Sequence, residues 1–66
     1  MIMQIQQYQR VILEIQVDND KENEFDDIAE NNISKCKDEG KLETGYVDVV
    51  ILDEDGTTFD CWISVA

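Results

Sequence analysis

The sequence lacks histidine and proline, and among its 66 residues there are only two cysteines, Cys36 and Cys61. Without histidine the chain has neither the commonest general base nor the commonest metal ligand. The two cysteines lie too far apart for a closely spaced zinc-ligand pair, and one pair is no disulfide framework. The three glycines form no phosphate-binding loop. We therefore expect no enzymatic activity, no cofactor and no metal site.

Long hydrophobic runs are missing as well. No apolar stretch approaches the roughly 18 residues of a membrane-spanning helix, and residues 1–8 carry no basic cluster typical of a targeting signal. We expect one soluble domain over residues 1–66, located in the cytoplasm, or in the host cytoplasm if the gene belongs to a phage. Because a domain of this size buries only about 60% of its unfolded surface, self-association or an efficient core is expected to stabilise it.

Positive charge is scarce. Five Lys and Arg residues stand against sixteen Asp and Glu residues, which gives a net charge of −11. Binding to nucleic acid or to an anionic membrane requires a basic surface, so neither is expected as a direct partner. A field of this sign attracts a basic protein surface and accelerates the encounter. The alternative is that the acidity serves only solubility.

Apolar residues at alternate positions predict a strand over Tyr8–Val17. The preceding stretch, Ile2–Gln7, could extend this strand or pair beside it. It contains no Gly, Asn or Asp to mark a turn, so extension is the favoured interpretation. Two further strands, Tyr46–Asp53 and Thr58–Val65, are predicted to form a hairpin, because Asp-Gly at positions 55–56 is a strong turn signal.

A helix is predicted over Asp20–Lys37, between the first strand and the hairpin. Asn19 is expected to be its N-cap, with Glu22 at the capping-box spacing, and Gly40 follows its last turn. The apolar stripe of this helix consists of Phe25, Ile28, Ala29, Ile33 and Cys36. The predicted class is therefore α+β, of order β-α-β-β, with one helix packed on a small antiparallel sheet that ends in a C-terminal hairpin.

The register of the hairpin decides which residues the helix covers. A two-residue turn at Asp55-Gly56 pairs Val49 with Trp62, and one face then packs under the helix: Tyr46, Val50, Leu52, Phe59, Cys61, Ile63 and Val65. The opposite face is a candidate homodimer or partner interface formed by Val47, Val49, Ile51 and Trp62, since a large exposed apolar patch usually marks an interaction site. A slip of one residue would exchange the two faces.

The segment Val49–Thr57, VVILDEDGT, resembles the first motif of the haloacid dehalogenase family, an apolar strand followed by D-x-D-G-T. The resemblance would make Asp53 a nucleophile and Asp55 a general acid/base. It covers nine residues, and the nine that follow Thr57 leave no room for the large domain of that family. The turn chemistry of Asp-Gly explains the same residues, so a hairpin is the preferred interpretation.

The predicted helix is densely acidic. Its candidate partner-binding residues are Glu22, Glu24, Asp26, Asp27 and Glu30. Like charges at i, i+4 cost about 0.2–0.5 kcal/mol each, and the helix dipole accounts only for those in the first turn. Carboxylates stacked at roughly 6 Å along a helix approximate the spacing of backbone phosphates. Mimicry of nucleic acid is one interpretation, and a solvated helix face is the other.

In size, charge and composition, and in lacking enzymatic motifs, the chain resembles the small acidic inhibitors that phages use against host defence, of the anti-CRISPR and DNA-mimic type. The resemblance implies a non-enzymatic inhibitor that occupies a basic, nucleic-acid-binding surface of a protein partner. The alternative function is a small homodimeric structural or adaptor domain.

Overall fold

A computed structural model of the chain describes residues 1–65, apart from the side chain of Thr58. The elements are β1 (Ile2–Gln7), β2 (Arg10–Gln16), a 3₁₀ helix (Asn19–Glu24), α1 (Phe25–Asp38), β3 (Gly45–Asp53) and β4 (Gly56–Val65). The strands form one antiparallel sheet in the order β2-β1-β3-β4, and α1 packs on one of its faces. The predicted α+β class, with one helix on a small antiparallel sheet and a C-terminal hairpin, is confirmed. Within residues 1–65, no helix has the length and hydrophobicity to cross a membrane.

The first strand of the prediction is in fact two strands. β1 and β2 pair as a hairpin around Tyr8 and Gln9, so the expected extension of Tyr8–Val17 by Ile2–Gln7 is wrong, and the order is β-β-α-β-β rather than β-α-β-β. Both turn residues have positive φ, 52° and 63°, as a type I′ turn requires. Such a turn normally carries Asn or Gly, and a residue such as Tyr or Gln in it costs about 1–2 kcal/mol. The sequence therefore gives no local signal for this hairpin.

Tertiary contacts compensate for this unfavourable turn. The hairpin makes β1 a central strand, where Met3 and Ile5 are fully buried, and each such side chain contributes about 1.5–3 kcal/mol. The buried Gln7 side chain binds the backbone of Glu43 twice. Its Nε2 donates to the Glu43 carbonyl at 2.8 Å, and its Oε1 accepts from the Glu43 amide at 2.9 Å. These bonds join the end of β1 to the connection between α1 and β3.

The helical region begins differently from the prediction. Asn19 starts a 3₁₀ helix rather than capping an α-helix, and α1 begins only at Phe25. The Asn19 side chain instead accepts a hydrogen bond at 3.4 Å from the Met1 amino group, which also donates to the Val17 carbonyl. Because the Asn19 oxygen is turned toward Met1, it provides no N-cap.

The helix end follows the prediction. Gly40 has a φ of 75°, its amide donates to the Lys37 carbonyl at 3.0 Å, and the Lys41 amide donates to the Cys36 carbonyl at 2.9 Å. This pair of bonds is a Schellman motif, which requires a left-handed residue that glycine adopts most easily. The chain then reverses toward β3.

The C-terminal hairpin is present, but its predicted register is wrong. The turn residues are Glu54 and Asp55, with Asp53 opposite Gly56, and the Asp55 amide donates to the Asp53 carboxylate at 2.8 Å. A bulge then inserts one residue into β4, so that Val49 pairs with Cys61 rather than with Trp62. The net slip is one residue, and it exchanges the two faces of β3.

The core lies between α1 and one face of the sheet. Val47, Val49 and Ile51 are almost completely buried there, so their predicted place on the uncovered face is wrong. Tyr46, Val50 and Leu52 point to the other side of β3 and are not under the helix. The prediction holds for β4, where Cys61, Ile63 and Val65 do pack with the core. From α1, the buried residues are Ala29, Ile33 and Cys36.

Candidate functional site

The acidic residues that the sequence singled out are all exposed, but they do not form one helical row. Glu22 and Glu24 belong to the 3₁₀ helix, whereas Asp26, Asp27 and Glu30 belong to α1. A 3₁₀ helix has 3.0 residues per turn instead of 3.6, so the predicted i, i+4, i+8 alignment of Glu22 with Asp26 and Glu30 does not continue across the junction. The five carboxylates instead distribute over different sides of the helical region.

Glu22 and Asp26 lie on the side that faces the C-terminal hairpin. Together with Asp53 at the end of β3 they line a groove of about 510 Å³, which we call the acidic groove. Its other lining residues are Met1, Asn23, Phe25 and Phe59. Phe25 is half-buried and Phe59 exposed, so the groove combines three carboxylates with two aromatic rings.

A second cleft of about 550 Å³ adjoins the acidic groove and shares Met1 and Asp53 with it. Its lining adds Glu54 and Asp55 of the hairpin turn, so acidic residues continue around this end of the molecule. Sequence reasoning assigned Asp53, Glu54 and Asp55 to the hairpin turn and did not count them among the partner-binding residues. A local pattern could not reveal them, because only the sheet topology brings the β3–β4 turn next to the beginning of the helical region.

The remaining predicted acids lie elsewhere. Glu24 lines a third, smaller depression with Lys21 and Ile28, and its carboxylate is 3.4 Å from the Lys21 ammonium. Both of these side chains are more than half exposed, so the pair contributes little to stability. Asp27 and Glu30 are exposed on α1 outside the acidic groove. Of the five predicted residues, the structure therefore brings together only Glu22 and Asp26.

Within residues 1–65, the carboxylates of the acidic groove form no ion pair, although Met1, whose amino group binds Val17 and Asn19, lines the same groove. The ion pairs found there join Lys21 to Glu24 and Lys41 to Glu39, the latter at 2.9 Å. The Lys41 ammonium, by its hydrogen bond and its charge, lowers the pKa of the Glu39 carboxyl. This compensation occurs beyond the C-terminal end of α1, whereas the groove lies beside its N-terminal end. No lysine or arginine of the described residues forms an ion pair with the groove carboxylates.

The four side chains of the predicted interface do not lie on the same face of the sheet. Val47, Val49 and Ile51 belong to the core, and Trp62 alone lies on the uncovered face, with 67% of its surface exposed. Tyr46, predicted to lie under the helix, is its neighbour there and is 65% exposed. The two rings meet edge to face, with centroids 5.0 Å apart and an interplanar angle of 81°. The exposed apolar surface of the sheet therefore centres on an aromatic pair.

Comparison with known proteins gives no relative for this arrangement. No protein-family model matches the chain, and it has no match among curated proteins or solved structures.

Proposed function

We propose that the chain is a non-enzymatic binding protein that occupies a basic, nucleic-acid-binding surface of a partner protein. The observation that carries the proposal is the acidic groove. Carboxylates from the 3₁₀ helix, α1 and β3 converge on one concave surface, and no lysine or arginine of residues 1–65 forms an ion pair with them. A surface of this kind gains most from a partner that supplies positive charge.

The lining of the groove suits an arginine side chain best. A guanidinium group donates to carboxylates such as Glu22, Asp26 and Asp53, and its planar face stacks on aromatic rings. Phe25 and Phe59 offer such rings in the same groove. Proteins that hold phosphate backbones present arginine and lysine in clusters, and an acidic protein that covers such a cluster blocks nucleic acid from it. The partner is accordingly expected in the cytoplasm, where nucleic-acid-binding effectors act.

A charge-reversal experiment tests this function. The tagged chain would be used to capture proteins from bacterial lysates, including strains with CRISPR systems, at low and moderate salt. We expect a nucleic-acid-binding protein that duplex DNA displaces and that is lost as salt rises, because exposed charge pairs are screened. Glu22→Lys with Asp26→Lys should abolish its recovery.

The matched control reverses two exposed charges outside the groove, Asp27→Lys with Glu30→Lys. This variant has the same net charge as the first and should retain most of the binding. Equal loss in both variants would mean that only net charge matters, and a partner that resists high salt would contradict the electrostatic mechanism.

The alternative function, a homodimeric structural or adaptor domain, now depends on a different set of residues. Three of the four predicted interface side chains are buried under α1, which leaves Trp62 with Tyr46 as the exposed apolar centre. This aromatic pair is the observation that favours an interface on the uncovered face. Sedimentation of the purified chain would distinguish the functions, because the adaptor requires a dimer that Trp62→Ala dissociates.

A further inference from the structure

The face of the sheet opposite α1 is a second surface that the proposed function does not use. Strand alternation and register place six apolar residues on it, which we call the open face together with the polar residues between them. The apolar members are Ile2, Val11, Tyr46, Val50, Leu52 and Trp62, and all are exposed or half-buried. Every described helix lies on the other side of the sheet or beside its end, so no element of residues 1–65 covers this face.

The charged residues of the open face all have the same sign. Glu14, Asp48 and Asp60 lie on it, each exposed, and none of the lysines or arginines in the described strands shares the centre of the face with them. Gln4 and Gln6 complete it, linked to Glu14 by hydrogen bonds of 2.8 Å that run from Gln6 to Gln4 to the carboxylate. The face therefore has an apolar centre and an acidic surround.

This charge pattern argues against a second copy of the chain as the occupant. Two open faces packed together would bring two sets of Glu14, Asp48 and Asp60 into one interface, between chains that each carry a net charge of −11. Like charges across an interface are strongly unfavourable, whereas complementary charges favour association. The occupant that fits has apolar side chains at its centre and arginine or lysine around them.

We propose that the open face binds a basic, amphipathic segment of a partner protein, with Trp62 and Tyr46 as its anchors. The inference rests on the proposed function in requiring a cationic partner, and it deepens that function by adding apolar recognition to charge. Large aromatic side chains supply most of the binding energy in many interfaces. The edge-to-face contact at 5.0 Å holds the two rings in a fixed arrangement before binding, which lowers the entropic cost of association.

The open face is continuous with the acidic groove. Ile2 and Leu52 belong to the open face and also line the cleft that shares Met1 and Asp53 with the groove. A bound segment can therefore pass from the aromatic pair around the ends of β1 and β3 to the carboxylates of the groove. One partner would then contact both surfaces.

Intrinsic fluorescence tests the proposal directly, because Trp62 is the only tryptophan of the chain. The probe is a synthetic peptide of alternating leucine and arginine, without tryptophan or tyrosine, titrated into the full chain while calorimetry measures the affinity. We expect the Trp62 emission to move to shorter wavelength and its quenching by acrylamide to decrease. Replacing the leucines of the peptide with serine, or its arginines with glutamate, should remove both effects.

Two matched variants separate the open face from general charge attraction. Asp48→Asn with Asp60→Asn should weaken peptide binding by about tenfold, whereas Asp27→Asn with Glu30→Gln, which removes the same charge from α1, should change it by less than about twofold. Equal weakening by the two variants would overturn the proposal. A Trp62 emission that stays unchanged at saturation would overturn it as well.

The groove variant, Glu22→Lys with Asp26→Lys, keeps failure of this inference distinct from failure of the proposed function. If only the groove variant lowers the affinity for the peptide, and the Trp62 emission does not respond to the peptide, the groove is the binding surface and the open face is not. If the emission responds but the groove variant is harmless, the open face stands and the proposed use of the groove fails. If sedimentation shows a dimer and Trp62 is protected from acrylamide without peptide, the occupant of the open face is a second copy of the chain and not a basic partner.

Discussion

The two faces of this sheet are formed by the same strands but differ completely in their surroundings. On the covered face, Met3, Ile5 and Val49 have almost no exposed surface, and Ala29 and Ile33 of α1 close over them. On the open face, the adjacent positions carry exposed rings and uncompensated carboxylates. The difference shows that the parity of a position in β1 or β3 decides whether its side chain is buried under α1 or left uncovered, since successive side chains point to opposite faces.

The largest expected effect that tests this contrast comes from two adjacent valines of β3. Val49→Ala removes buried carbon atoms and leaves a cavity, so it should lower the free energy of unfolding by about 2–3 kcal/mol. Val50→Ala, on the half-buried open side, should lower it by less than about 1 kcal/mol. Urea unfolding of both variants measures the difference. The register predicted from the sequence buries Val50 and exposes Val49, the opposite of the structure. A larger loss for Val50→Ala would therefore contradict the structure.

The next effect compares two neighbouring glutamines of β1. Gln7 is the buried polar residue of the covered face, and Gln7→Ala removes both of its hydrogen bonds to the Glu43 backbone. We expect a loss of about 1–2 kcal/mol in the free energy of unfolding, since water can reach the exposed Glu43. Gln6→Ala removes one bond to Gln4 on the open face and should cost less than about 0.5 kcal/mol. Equal costs in urea unfolding would mean that Gln7 does not secure the connection to β3.

How far the sequence predicts this fold depends on whether the determinants are local. The body of α1 and its C-terminus were predictable, because an apolar stripe and Gly40 act within a few residues of chain. The β1–β2 hairpin was not, because Tyr8 and Gln9 adopt a conformation that their own chemistry disfavours. The hydrogen bonds of Gln7 to Glu43, 36 residues away, appear only in the folded chain.

The register of the C-terminal hairpin shows the same limit. An Asp-Gly signal predicted the turn, but the side chain of Asp53 binds the Asp55 amide and moves the turn to Glu54-Asp55. Together with the bulge in β4, this shift exchanges the faces of β3. For the candidate site, Glu22 and Asp26 were predictable from their charge, whereas Asp53 joins them only through the tertiary arrangement.

A smaller effect concerns the aromatic pair of the open face. A double-mutant cycle with Tyr46→Ala, Trp62→Ala and the double variant should give a coupling of about 0.5–1 kcal/mol in the free energy of unfolding, the range expected for an exposed edge-to-face contact. On the covered face, truncating either ring would also leave a cavity and lower the stability further. Exposed rings leave no cavity, so only their mutual contact is lost. Additive effects of the two substitutions would show that the rings are not held together in solution.

The smallest expected effect is a change in pH dependence at Cys61, on the covered face. Partial burial raises the pKa of this thiol above its ordinary value of 9.0, and the carboxylates of Asp26, Asp60 and Asp48 raise it further. A raised pKa in the folded chain means that folding favours the protonated thiol. Its contribution to stability is therefore complete below about pH 9 and is lost as the pH rises through the folded value.

Unfolding in urea at a series of pH values measures this loss, with Cys61→Ala as the control. We expect the free energy of unfolding of the natural chain to decline more steeply above about pH 9 than that of the variant. The hydrogen bond to Glu39 raises the pKa of Lys41 as well, but both proteins contain Lys41, so the difference between their slopes reports on the thiol alone. Identical slopes for the two proteins would show that Asp26 and the burial under α1 do not act on the thiol. A steeper slope for the natural chain is the outcome expected from the partial burial of Cys61 and from the nearby carboxylate of Asp26 in α1.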